Sequence, residues 1–132
     1  MQLSNFLRTV LKLDAASCLG MAAAVLPFAA SLQAPLGIDA RILQGAAASL
    51  VPIGLFILWL GSRREAPAAL VLLVIAGNVG WTAASLVAAA SLPQITPAGQ
   101  MLTVGQGLAV LLLAFLEWRG MRSSQSAQSS RA

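Results

Sequence analysis

The chain is 132 residues long, 58% hydrophobic and 9% charged, with 8 Lys and Arg against 4 Asp and Glu and a net charge of +4. A soluble domain carries about 25% charged residues, and a chain this short has too much surface for its volume to hide so much apolar side chain from water, so a water-soluble globule is excluded. Histidine and tyrosine are absent and Cys18 is the lone cysteine, which excludes an intrachain disulfide, imidazole-ligated haem or zinc and a histidine general base. The excess positive charge does not point to nucleic acid. The basic residues stand at the ends of apolar runs, as membrane topology signals do.

Residues 2–13 place Leu3, Phe6, Leu7, Val10 and Leu11 at helical spacing, with Ser4, Asn5, Arg8, Thr9 and Lys12 on the other face. That pattern predicts a short amphipathic helix lying in the headgroup layer. A first membrane helix is expected at 13–32, with Pro27 near its far end and a loop carrying Pro35 and Gly37. Asp39 is a good N-cap for a second helix at 40–60, kinked by Pro52. Pro67 suits the first turn of a third helix at 66–90. Thr96 and Pro97 form an N-cap and N1 pair for a fourth at 97–118. Each run approaches the ~20 residues that cross ~30 Å of hydrocarbon. Residues 123–132, rich in Ser and Gln, are expected to be disordered. The fold class is therefore an all-α membrane protein: four transmembrane helices within residues 1–122, joined by short turns in an up-down-up-down bundle, after an interfacial helix.

Threading four helices puts Arg8, Lys12, Arg63, Arg64, Arg119, Arg122 and Arg131 on one side and Arg41 on the other. The positive-inside rule then places both termini in the cytoplasm of a bacterium, with the chain multi-pass in its inner membrane. Trp59 and Trp118 fall at the cytoplasmic helix ends, where interfacial tryptophans belong.

Polar residues within membrane helices are the candidates for function. Asn78 lies twelve residues into the third run, ~18 Å along it, and Gln106 nine residues after Pro97, ~13 Å from the outer side. Similar depth on adjacent helices predicts that they face each other or share a neighbour. Thr82 and Ser85 continue the Asn78 face. Thr103, Gly107, Val110, Ala114 and Glu117 make one stripe on the fourth helix. Ala16, Gly20 and Ala24, and likewise Ala76, Gly80 and Ala84, form small-residue seams that permit close helix approach and favour a tight bundle. Asp14 and Glu117 are expected near the cytoplasmic boundary, in reach of Lys12, Arg63, Arg64 or Arg119.

Leu13-Asp14-Ala15-Ala16, Gly77-Asn78-Val79-Gly80-Trp81, and Gln106 with Leu116-Glu117-Trp118-Arg119-Gly120 resemble a family of small uncharacterised bacterial four-helix membrane proteins. The resemblance implies a fold and no activity, and it singles out Asp14, Asn78, Trp81, Gln106 and Glu117. Small multidrug-resistance transporters also have four short helices and an acid in the first. This chain departs from them in placing Asp14 after an amphipathic segment and in lacking an aromatic cage for an organic cation. The expectation is a non-enzymatic accessory or scaffolding bundle without cofactor or metal. Its partners would be the bilayer and either a larger membrane complex or further copies of itself, with no nucleic acid. The alternative is a small homo-oligomeric transporter or channel using an interfacial carboxylate and a mid-membrane Asn/Gln pair. An enzyme lacks the clustered acid–base groups.

Overall fold

The computed structural model describes residues 1–131. Four helices are long and apolar enough to cross a membrane: Asn5–Leu36, Ala40–Ser62, Ala68–Ser91 and Pro97–Arg131. The protein is thus a multi-pass, all-α membrane protein. The helices alternate in direction, so both described ends lie on one side, called here the near end.

The first helix corrects the expectation of a separate interfacial segment. It begins at Asn5 and runs to Leu36, capped by the Ser4 hydroxyl, which accepts from Leu7 N at 3.1 Å. Leu3, Leu7, Val10 and Leu11 are buried in protein, while Phe6 alone of that face stays outside. Leu11 packs on Gly61 of the second helix and Leu7 on Gly120 of the fourth. An apolar stripe looks the same whether it meets lipid headgroups or other helices, and here it meets helices. Pro27 interrupts the span with a 3-10 turn at Leu26–Phe28, because proline removes a backbone donor and clashes with the preceding turn. The helix then resumes through Pro35 and stops at Gly37, whose φ of 65° is left-handed.

Asp39 caps the second helix through Arg41 N at 2.7 Å, and Thr96 caps the fourth, accepting from Gly99 N at 3.1 Å. Pro67 stands one place before its expected position, as the N-cap of the third helix. The fourth helix continues through the stretch whose composition suggested a tail, as far as Arg131; residue 132 lies outside the described residues. No Gly or Pro interrupts 123–131, and two ties hold that stretch. Ser124 Oγ accepts from Ser4 N at 3.0 Å, and Arg131 donates to Gln2 at 3.1 Å.

The bundle is two tight hairpins rather than four equal seams. The first helix packs along the second, the third along the fourth, and the first touches the fourth; the second and third barely meet although adjacent in sequence. Two clasps join the hairpins. At the near end residues 1–3 run beneath the turn between the second and third helices, with Leu3 N donating to Arg64 O at 2.8 Å and Ala66 N to Met1 O at 3.0 Å. At the far end Thr96 donates to Leu36 O at 3.1 Å through its N–H and to Pro35 O at 2.7 Å through its hydroxyl. Trp59 and Trp118 are exposed near the near end, and the guanidiniums of Arg63 and Arg122 lie 5.4 Å and 5.1 Å from their ring centres.

The small-residue seams divide. On the fourth helix Gly107, Ala114 and Glu117 face inward and are buried. Ala16, Gly20 and Ala24, and Ala76, Gly80 and Ala84, instead face outward, and a Cβ on Gly20 or Gly80 would meet nothing within 4 Å. Those two seams do not tighten this bundle.

Candidate functional site

Packing on glycine sets the level of Asp14. Leu11 lies on Gly61 and Leu19 on Gly54, so Asp14 stands level with about Leu58, five residues or ~7 Å inside Arg63. The shallow depth agrees with the sequence expectation; the direction does not. Asp14 is 0% exposed and points into the bundle, and so does Glu117, also at 0%. Their expected Lys and Arg partners, Lys12, Arg63, Arg64 and Arg119, are exposed.

Asn78 of the third helix brings the acids together. Its Nδ2 donates to Asp14 Oδ2 at 2.7 Å and to Glu117 Oε1 at 2.9 Å. Three helices that share no sequence proximity thus meet at one amide. Cys18, one turn beyond Asp14, points its thiol at Asp14 Oδ1 over 3.8 Å, and Ser17 donates to the Asp14 backbone carbonyl at 2.9 Å. Thr82, one turn farther along the third helix, meets two backbone carbonyls. Its hydroxyl lies 3.0 Å from the Asn78 carbonyl and 2.8 Å from the Gly107 carbonyl, at a point where Gly107 lets the third and fourth helices close.

Gln106 belongs to a second network. Its Oε1 accepts from Trp81 Nε1 at 2.8 Å, and its Nε2 donates to Ser85 Oγ at 2.7 Å and to Thr103 O at 2.8 Å. Each end of the amide is satisfied, which makes Gln106 the clamp between the third and fourth helices. Asn78 and Gln106 therefore do not bond each other. With Thr82 opposite Gly107, Asn78 lies four residues, ~6 Å, nearer the near end, where Glu117 can reach up to it. Depths counted from helix ends missed this offset.

The two networks share a cleft. Where the second and third helices part, a cavity of about 510 Å³ opens toward the lipid, its wall including Cys18, Pro52, Phe56, Asn78, Trp81 and Gln106. It continues toward the far end as a narrower space of about 260 Å³ past Met21, Leu50 and Trp81. Asp14 and Glu117 line neither part; they lie behind Asn78 and Cys18. Among the described residues no group of three His, Cys, Asp or Glu side chains is placed to hold a metal ion. The cleft is an apolar chamber with an amide floor, suited to a hydrophobic occupant with few polar atoms. No protein-family model, no curated protein and no solved structure matches the chain.

Proposed function

We propose that this protein is a non-enzymatic accessory or scaffolding bundle, docking on the transmembrane helices of a larger complex. The observation that carries the reading is the pair of exposed small-residue seams, Ala16-Gly20-Ala24 and Ala76-Gly80-Ala84, where a Cβ on either central glycine would meet nothing within 4 Å among the described residues. Lipid gives no hydrophobic drive for helix association, so close approach across small residues is what a docking face in a membrane needs. The interior supports the same reading at Gln106, whose amide spends its hydrogen bonds on Trp81, Ser85 and Thr103 within the bundle. Gly20→Leu and Gly80→Leu should each abolish co-purification with a membrane partner in gentle detergent while leaving helix content and melting within the wild-type range. A wild-type chain that is a stable monomer with nothing bound overturns the reading.

The orientation belongs to the same proposal. Seven of eight basic residues lie toward the near end, and the positive-inside rule makes this a support for both termini lying on the cytoplasmic side of a bacterial inner membrane. A fluorescent protein fused after Ala132 should therefore glow and alkaline phosphatase at the same place should be inactive; the reverse pair of results overturns it. The small transporter remains as a second reading because two carboxyl groups are buried at membrane depth, where such residues mark proton paths.

A further inference from the structure

The buried carboxyl pair has a deficit that the fold does not repair. An Asn amide supplies two hydrogens, and Asn78 gives one to each acid. The Cys18 thiol adds one weak donor to Asp14. Glu117 Oε2 is left buried with no partner, beside an acid that shares the same amide nitrogen. Among the described residues no basic side chain pairs with them, and the partly buried Arg8 donates to Gly61 O at 3.4 Å instead. The second helix turns Leu50, Gly54, Ile57, Leu60 and Gly61 inward, and Lys12, Arg119 and Arg122 are exposed.

Two carboxylates in this setting would place two like charges in an interior surrounded by lipid, and each buried ion costs several kcal/mol even after relaxation. One hydrogen ion on Glu117 Oε2 removes a charge and also converts the orphan acceptor into a donor, for which Asp14, held by the same Asn78 amide, is the neighbouring acceptor. Asp14 would then accept from Asn78, Cys18 and Glu117, a set that suits a single remaining negative charge. Larger cations fit poorly, because neither acid opens onto the cleft.

We propose that Asp14, Asn78 and Glu117 form a binding site for one proton, carried on Glu117 Oε2 and hydrogen-bonded to Asp14. The site does not rest on the docking reading, since it faces inward. It names the ion that the transporter reading would couple. Asn78 also walls the cleft, so the proton and any occupant of the cleft share one side chain.

The test is infrared spectroscopy of the whole chain in lipid bilayers at neutral pH. The chain has two glutamates, Glu65 and Glu117. One protonated carboxyl C=O band per chain is expected, moved by ¹³C-glutamate labelling, kept in Glu65→Gln and lost in Glu117→Gln. The Glu117→Gln chain should fold, because its amide can donate to Asp14 as the acid does. Should it fail to fold, labelled Glu65→Gln still assigns the band, since its one glutamate is Glu117. No protonated carboxyl band in the folded wild type overturns the proposal. So does a band that ignores glutamate labelling, or one that appears only when sodium and potassium are removed.

Discussion

Asn78→Leu should destabilise the folded protein by about 3 kcal/mol, measured by unfolding in mixed micelles. Interhelical hydrogen bonds in membranes average only ~0.6 kcal/mol, because an unfolded chain in lipid also finds partners. Asn78 is worth more than that mean because of what it leaves behind. Its loss strips a donor from two buried acids at once, and breaking a buried charged network by removing one member costs roughly 3–5 kcal/mol. Leucine keeps the same branched heavy-atom skeleton with bulkier methyl ends, so the single variant mixes polarity with some added volume. The companion variant decides the cause. In Asp14→Leu/Asn78→Leu/Glu117→Met no polar atom of the cluster remains to be satisfied, and stability should return to within about 1 kcal/mol of wild type, since replacing a whole buried polar group by apolar residues of similar shape is nearly neutral. A triple variant as unstable as the single one would assign the loss to shape.

Gly107→Leu should cost a similar ~3 kcal/mol by a different route. A Cβ there would lie 3.1 Å from Ser85 Cβ, and the rest of a leucine side chain would have to enter the same seam. Overpacking a closed interface costs roughly 1–3 kcal/mol. The Thr82 bond to the Gly107 carbonyl, 2.8 Å long, goes with it. Parting of the third and fourth helices also pulls Gln106 from Trp81. In a background of Trp59→Phe and Trp118→Phe, the emission of Trp81 should therefore change together with the melting curve. Gly105→Leu is the control, because a Cβ at Gly105 meets nothing within 4 Å, and stability should stay within about 0.5 kcal/mol of wild type. Equal losses at both glycines would mean that helix propensity or lipid contact, not the seam, sets the cost.

The four spans were legible because their apolar runs match the thickness of a bilayer and because Asp39, Thr96 and Pro97 punctuate them. The inward stripe on the fourth helix was legible from spacing, since Glu117 continues a row of small residues. The boundary of the first helix was not legible. Leu3, Leu7, Val10 and Leu11 form a stripe that either headgroups or protein could cover, and only the glycines at 61 and 120, far away in sequence, decide for protein. The same holds for Asp14. Its depth could be counted, but the direction it faces depends on which helix supplies a donor, and Asn78 is 64 residues away. Asn78 and Gln106 share the wall of one cavity, but they do not pair directly, for a reason of register. The third and fourth helices align through Thr82 and Gly107, and that offset carries Asn78 toward Glu117 and leaves Gln106 to Trp81.

The meeting of three helices at the Asn78 amide also constrains how such a sequence can drift over generations. Positions 14, 78 and 117 are not free to change one at a time: an apolar replacement at any of them crosses a valley of about 3 kcal/mol, a large part of a small protein's total stability. A passable route begins at Glu117, where glutamine keeps a donor toward Asp14, and closes only when all three have become apolar. Descendants of this fold should carry the acid–amide–acid set whole, with glutamine in the last place, or have lost it entirely.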